Sequence, residues 1–239
     1  MQGRFGAGLI RGHDAGSDIF IYAYILSHMS SPDAKPRGRP RKTATHEEEM
    51  RQRIAAAARE LFLRDGVDAV SMRNIAGEVG CSPMALYRYF AGKQEILWQV
   101  WDLFFGELFA RLERIEAETP RARLEDIALA YLDYWIEHPG RFLIVFLQKD
   151  VAPDGTRNYL ASSGIVERFD LIARVAADAR AQGDLLGAEP DAIARGLLCV
   201  MQGLALNLIT IPEYPWGDAR ALGRMTVRSY LAGLRPAAD

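Results

Sequence analysis

The sequence predicts an all-α protein with two helical domains, a three-helix amino-terminal domain containing a helix-turn-helix and a larger helical domain after it. From about residue 46 onward, apolar residues recur at spacings of three and four, the period of helices that bury one face. The second half shows no alternating strand pattern. An apolar content of 49% with 25% charged residues is ordinary for a globular chain and suffices for a packed core.

Residues 1–28 do not resemble the rest of the chain. They are rich in glycine and contain a short apolar run at residues 19–26. A bilayer span needs about 20 such residues. A signal peptide is a weak alternative, because Arg4 and Arg11 precede the run but no small-residue cleavage site follows it. We expect residues 1–28 to lie outside the functional fold, as a vector-derived or mis-assigned leader.

A polar, basic arm follows at residues 30–45. Its core, Pro-Arg-Gly-Arg-Pro-Arg-Lys at 36–42, resembles an AT-hook, in which Arg37, Arg39 and Arg41 would enter the narrow minor groove of A·T-rich DNA. The alternative is a disordered basic tail that adds only non-specific affinity. In both cases residues 1–45 are expected to be flexible without DNA.

The first folded helix is predicted to begin at Glu47, where acidic side chains favour the positive end of the helix dipole. Its buried stripe runs from Ile54 to Phe62, and Gly66 is expected to end it as a C-cap. This helix would support the two that follow.

Residues 71–90 predict the helix-turn-helix. Met72, Ile75, Ala76 and Val79 share one helical face, with Ser71 as the N-cap before them. Gly80 is expected to take the turn and to permit close crossing of the two helices, with Cys81 buried beside it.

The second helix of the pair has an unusual outer face. Ser82 is its predicted N-cap and Pro83 its first residue, and Leu86 and Phe90 point back to the first helix. This leaves Pro83, Met84, Tyr87 and Arg88 facing outward. If these two helices served only as a hairpin of the core, their free face would carry well-solvated polar groups. The exposed Met, Tyr and Arg favour a DNA-binding face instead.

These residues resemble the TetR family of bacterial transcriptional regulators. The resemblance lies in the spacing from Ile54 to Gly66, in Val-Ser-Met at 70–72 followed by Ile-Ala at 75–76, and in Leu-Tyr-Arg-Tyr-Phe at 86–90 with Lys93 just after. Pro83-Met84 and Arg88 depart from the usual residues, which affects base preference more than fold. A looser resemblance covers residues 131–146. The family implies an operator-binding dimer whose second domain binds a small effector.

The helix-turn-helix residues are assigned roles by position. Ser71, Tyr87 and Lys93 are expected to hold phosphates. Ser82, Met84 and Arg88 are expected to reach base edges. Arg73 could contact either a phosphate or a base edge. Residues 35–95 carry 12 Lys and Arg against 8 Asp and Glu, whereas residues 96–239 carry 15 against 20, so the basic end of the chain is the one that contains the arm and the predicted helix-turn-helix domain at 46–92.

The second domain, 93–239, is predicted to begin with a connector helix from Lys93 to Glu118. Later helices are expected from Pro120 to His138, from Arg157 to Gln182, and over 191–209 and 218–234. A short apolar segment at 142–147 and a loop at 149–156 would separate the second from the third.

The second domain is rich in aromatic residues at helical spacing. Such a stripe is more often core than ligand site, but the family resemblance favours an apolar pocket for a hydrophobic or aromatic effector. Gln148, Gln202 and Asn207 are possible polar anchors. The predicted effector-binding residues are Trp101, Phe105, Tyr131, Trp135, Phe146, Phe169, Met201 and Asn207.

The last two helices carry apolar ridges that either close the core of the monomer or pair with a second copy. Ile193, Leu197, Val200, Leu204 and Leu208 form the first, with Gly196 and Gly203 beside it, and Leu222, Met225, Ser229 and Leu234 form the second. The resemblance implies a four-helix homodimer interface and hence a near-palindromic operator.

Other functional classes find little support. Cys81 and Cys199 suggest neither a disulfide nor a metal site, and the four histidines are scattered, so no metal or cofactor is expected. The sequence lacks Gly-x-Ser-x-Gly and offers no nucleophile and base pair, which argues against an enzyme. We expect a cytoplasmic protein without a membrane segment. A ligand-independent DNA-packaging protein using the basic arm is the alternative.

Overall fold

The computed structural model describes residues 42–148, 158–185 and 187–234, without the side chains of residues 42–45 and 162. Arg37, Arg39 and Arg41 of the predicted arm, residues 1–28 and the predicted loop at 149–156 lie outside the described residues.

The described residues form ten α-helices and no strand, which confirms the predicted fold class. The helices are α1 Lys42–Asp65, α2 Met72–Val79, α3 Pro83–Leu86, α4 Lys93–Leu112, α5 Pro120–Glu137, α6 Pro139–Phe146, α7 Tyr159–Ser162, α8 Ile165–Ala181, α9 Pro190–Thr210 and α10 Ala219–Ala232.

Helix α1 begins at Lys42, five residues before the predicted start at Glu47, and so extends into the predicted arm. The sequence between these positions contains neither proline nor glycine, and Pro40 is the last residue that would interrupt a helix. Gly66 follows the helix with φ of 83°, the left-handed conformation expected of a C-cap.

The helix-turn-helix has the predicted caps. The Ser71 side chain accepts a hydrogen bond from the Asn74 N–H, and the Asn74 side chain accepts one from the Ser71 N–H. Gly80 has φ of 78°, and a Cβ placed on it would meet no atom within 4 Å. A glycine is therefore favoured at position 80 by its left-handed backbone conformation. The close crossing of the two helices that was expected there is not observed. Cys81 is half-buried, not buried as expected.

Helix α4 ends at Leu112, before the predicted Glu118. The Ile115 N–H bonds to the Leu112 carbonyl in a tight turn at 3.2 Å, and Arg123 Nε donates to the Ile115 carbonyl at 2.9 Å. The Arg123 guanidinium thus satisfies a carbonyl that continued helix would have satisfied, and the chain can turn into α5.

The single helix predicted from Arg157 to Gln182 is two helices. Helix α7 ends at Ser162 and α8 begins at Ile165, with Ser163 in an extended conformation between them. Ser163-Gly164 is a poor helical dipeptide, because serine competes for backbone hydrogen bonds and glycine loses the most entropy on ordering.

In the second domain, α5 packs against α8, α9 and α10, and α4 packs on both α1 and α5. One continuous apolar core extends through both domains. Within the described ranges, α9 is the one helix long and apolar enough to cross a membrane by length and composition, with a mean hydropathy of 1.6. A core helix passes the same test, so this is weak evidence for a membrane segment.

Gly80→Ala should lower the free energy of unfolding by about 1–2 kcal/mol, because an alanine must adopt the left-handed conformation. Gly77→Ala is the matched control. Gly77 lies inside α2, a Cβ there also meets no atom within 4 Å, and helix propensity predicts a gain of about 0.5–1 kcal/mol. Urea denaturation of both variants measures the difference, and equal effects would contradict the assignment.

Candidate DNA-binding surface and effector core

The outer face of the helix-turn-helix presents the predicted side chains to solvent. Met84 is 79% exposed and Tyr87 53% exposed, while Leu86 and Phe90 are buried against the first helix. Pro83 and Arg88 are also exposed. Met84 lies on α3, whereas Tyr87 and Arg88 lie in the turn that follows it, and exposed apolar and aromatic side chains close in sequence to an arginine are typical of a contact surface.

Helix α3 is held in place by α1 through a contact that the sequence reasoning missed. Arg51 Nη1 donates a hydrogen bond to the Tyr89 carbonyl, and its guanidinium lies 4.1 Å from the centroid of the Phe90 ring. The end of the reading module is thereby fixed to the supporting helix. Sequence alone gave no signal for this contact, because the two segments are 38 residues apart.

The two predicted serines have local structural roles. Ser71 caps α2, and Ser82 Oγ accepts a hydrogen bond from the Ala85 N–H at 3.1 Å, which caps α3. Both residues are exposed. The Ser71 hydroxyl also donates to Asn74 Oδ1, whereas the hydrogen of the Ser82 hydroxyl can still be directed elsewhere.

The predicted cations differ in their surroundings. Arg73 and Arg88 are exposed, and within the described residues neither guanidinium forms a hydrogen bond or an ion pair. Lys93, by contrast, is half-buried and donates from Nζ to the Val67 carbonyl at 2.8 Å. Its ammonium therefore ties the start of α4 to the loop before α2, a structural role that was not expected.

Comparison with known proteins supports the resemblance in the amino-terminal part of the chain. Residues 54–100 match the model of the bacterial regulatory proteins of the tetR family. The matched segment contains the helix-turn-helix, and it covers the second half of α1, all of α2 and α3, and the start of α4.

Individual relatives agree with this assignment. The regulator SrpR of Pseudomonas putida is 46% identical over 57 residues, which are 24% of this chain and 27% of SrpR. The transcriptional repressor DrrR1 of Streptomyces coeruleorubidus is 32% identical over 127 residues, 49% of this chain and 41% of DrrR1. The chain therefore spans less than half the length of either relative.

A TetR-family regulator of Pectobacterium atrosepticum has a similar fold. Its crystal structure superposes with a TM-score of 0.61 at 25% identity, covering 84% of this chain and all of that one. The similarity therefore extends into the second domain, beyond the segment that the sequence comparisons match.

Seven of the eight predicted effector residues come together in the second domain. Their rings pack edge to face, as between Phe105 and Trp135 with centroids 6.0 Å apart and between Tyr131 and Trp135 at 6.1 Å. The seven are Trp101, Phe105, Tyr131, Trp135, Phe146, Phe169 and Met201, all buried or half-buried. We call this set the aromatic core.

Asn207 does not join the aromatic core. It is exposed, and its Nδ2 donates to the Gly203 carbonyl of its own helix at 2.7 Å. Its position on α9 places the amide on the outer side of that helix, away from the buried Met201 and Ala205. Tyr159 was not among the predicted residues, yet its ring contacts the aromatic core: it stacks on Phe105 and meets Trp101 edge to face.

Two hydrogen-bond donors are buried without acceptors. Trp135 Nε1 and Gln202 Nε2 have no partner, although Gln202 Oε1 accepts a bond from the Tyr131 hydroxyl. Trp135 is fully buried and Gln202 is 3% exposed. Each unsatisfied donor costs about 1–3 kcal/mol of stability. A void of about 10 Å³ is lined by Tyr131, Leu197 and Met201.

Helix α4 is fixed to the next two helices by polar contacts around its buried face. The Tyr134 hydroxyl donates to the Phe104 carbonyl at 2.8 Å, and Arg141 bonds both Tyr134 and Glu107. Burial raises the pKa of Tyr134 above its usual range, so the phenol remains a donor at neutral pH.

The final two helices divide their apolar residues between the core and solvent. Ile193 and Leu197 of the first predicted ridge are buried within the monomer, whereas Val200, Leu204 and Leu208 are half-buried. On α10, Met225 is 60% exposed.

The two glycines of α9 also differ in what faces them. A Cβ on Gly196 would lie 2.0 Å from the Tyr230 hydroxyl of α10, whereas one on Gly203 would meet nothing within 4 Å. Gly196 therefore permits contact within the monomer, and Gly203 adjoins open space.

Among the described residues, no group of His, Cys, Asp and Glu could hold a metal ion.

Proposed function

We propose that this regulator is a repressor that binds a near-palindromic operator as a homodimer and releases it when a small hydrophobic or aromatic effector enters the second domain. The observation that carries the proposal is the reading surface formed by α3 and the turn after it, where Met84, Tyr87 and Arg88 are exposed on a module that is fixed to α1 by Arg51. The repressor role is supported by the similarity to DrrR1.

Each exposed residue has a role in the proposed DNA complex. Arg88 reads a guanine in the major groove, and Met84 contacts a thymine methyl. Arg73 and Tyr87 hold phosphates, together with the N-termini of the two helices. The Lys93 ammonium has three N–H donors and uses one on the Val67 carbonyl, so the others can contact a phosphate. Arg37, Arg39 and Arg41 add affinity from the arm.

The proposed dimer uses α9 and α10. Their outer face combines the exposed Met225 with half-buried leucines and with Gly203, where another helix can approach closely. Two copies related by a two-fold axis would present their reading helices about one DNA turn apart.

The effector is inferred from the aromatic core. Buried rings offer edge-to-face contacts to an aromatic ligand, and the unpartnered donors Trp135 Nε1 and Gln202 Nε2 favour one that carries an acceptor such as a carbonyl oxygen. Because these rings pack against one another, entry of an effector between them requires α4 to move away from α5 and α8. The effector thus favours a conformation in which the reading helices are wrongly spaced.

The proposed location is the cytoplasm, where operator DNA is accessible. A ligand-independent DNA-packaging role predicts instead that binding shows no preference among sequences and no response to small molecules. The DNA experiment below separates these two functions.

Arg88→Ala should weaken binding to the operator by about 1–3 kcal/mol and relax the preference at one base pair, because the bidentate contact to guanine is lost. Fluorescence anisotropy on DNA flanking the gene and on single-base variants measures both effects. Arg114→Ala is the control, since Arg114 is exposed in the linker after α4, remote from α3 in sequence. Full base discrimination by Arg88→Ala would refute the assignment.

Aromatic ketones should release the operator at lower concentrations than the corresponding alkylbenzenes, because only the ketones accept a bond from the buried donors. Gln202→Leu should reduce that advantage about tenfold, the equivalent of one hydrogen bond of about 1.4 kcal/mol. Gln182→Leu, at an exposed amide beyond α8, should leave it unchanged. An equal response to ketones and hydrocarbons would contradict the proposed role of Gln202.

Met225→Glu should shift the protein toward monomer in analytical ultracentrifugation, because two symmetry-related charges would be buried at the interface. Leu143→Glu, at a comparable exposed apolar position on α6, is the control and should leave the dimer intact. Dimerisation that is unaffected by Met225→Glu would place the interface elsewhere.

A further inference from the structure

A polar pocket of about 270 Å³ lies between the two domains. One wall is Arg51 of α1. A second is the face of α4 that carries Glu95, Trp98, Gln99 and Asp102, at spacings of three and four residues. Tyr159 and Ser163 complete the lining.

The pocket is distinct from the aromatic core, and Tyr159 separates them. The Tyr159 ring stacks on Phe105 in the core, while its hydroxyl donates to Asp102 Oδ1 at 2.8 Å on the pocket side. The aromatic core thus ends where the polar lining begins.

Asp102 is the principal charged group of the pocket. Among the described residues no cation forms an ion pair with it, and its hydrogen bond comes from a neutral phenol. The residue is exposed overall, yet the protein around its carboxylate raises the pKa of Asp102 above its usual range, because loss of hydration outweighs the bond from Tyr159. A cationic ligand would supply the missing counter-charge.

The remaining lining also suits a cation with N–H donors. Ser163 Oγ is buried without a hydrogen-bond partner, and Glu95 adds a second carboxylate, whose Oε2 accepts from the Ala91 N–H at 2.8 Å. Trp98 is 7% exposed and contributes an indole. Carboxylates beside an indole form a typical site for an organic ammonium ion.

We propose that this pocket binds a small organic amine in its protonated form. The ammonium group contacts the Asp102 carboxylate and Ser163 Oγ, and the hydrocarbon part lies against Trp98. The guanidinium of Arg51, directed toward the Tyr89 carbonyl and the Phe90 ring, repels the ammonium from the opposite wall.

A ligand in this pocket should change the affinity for DNA, an inference that rests on the proposed function. Arg51 lines the pocket and also holds the end of the reading module. A bound amine therefore changes the position of a residue that fixes α3, so amine and operator influence one another's affinity.

The test is calorimetric titration of the full chain, without DNA, with phenethylamine and with its neutral analogue 2-phenylethanol. We expect phenethylamine to bind at least about tenfold more tightly, since only it forms a charge-assisted hydrogen bond. Asp102→Asn should remove most of that advantage while keeping an acceptor for Tyr159. Glu116→Gln, at an exposed carboxylate after α4, is the matched control and should bind like the unmodified protein.

Equal affinity for both compounds, or amine binding unchanged in Asp102→Asn, would overturn the proposal. Ser163→Ala provides a second variant, with an expected loss of several-fold in amine affinity. Loss of amine affinity in Gln202→Leu would place the amine in the aromatic core and also overturn it. Because these titrations contain no DNA, their outcome is independent of operator binding. An amine that binds without altering operator affinity overturns only the coupling through Arg51.

Discussion

The burial of α4 on both sides is the constraint on which the rest of the structure depends, because this helix belongs to both domains. It packs on α1, and it contributes Trp101, Phe104 and Phe105 to the buried core. Protein interiors are packed as densely as organic crystals, so a helix within one continuous core cannot shift without disturbing the helices on both sides of it. In the proposed function, this is how a ligand in the second domain would influence a reading helix in the first.

Polar contacts to backbone carbonyls set the position of α4 more exactly than apolar packing could. Lys93 bonds the Val67 carbonyl at its start, Trp101 Nε1 bonds the Ile144 carbonyl at 3.1 Å, and Tyr134 bonds the Phe104 carbonyl. Hydrogen bonds are directional, and a sliding helix would lose all three together. Arg51 likewise donates to a backbone carbonyl, that of Tyr89, at the end of the reading module.

The helix-turn-helix was predictable almost completely, because its signals are local. Ser71, Ser82 and Pro83 act as expected, and Gly80 takes the predicted turn although the close helix crossing expected there is not observed. Where the predicted bounds were wrong, distant residues meet the backbone: Arg123 bonds the Ile115 carbonyl beyond the early end of α4. Asn207 lies outside the aromatic core because its amide faces the outer side of α9. The division of α7 from α8 had a local signal in Ser163-Gly164, which the apolar periodicity on either side outweighed.

The sequence by itself determined that the fold is helical, where α2, α5, α9 and α10 lie and which of their faces are apolar, since capping, proline, glycine and side-chain period act over a single turn. It also carried the resemblance to the TetR family, through the residues from Ile54 to Lys93. Tertiary structure decided which polar groups would meet. It joined Arg51 to Tyr89, left Gln202 Nε2 buried without an acceptor, and enclosed Asp102 beside Tyr159. These outcomes depend on the packing of segments far apart in the chain, which no local pattern specifies.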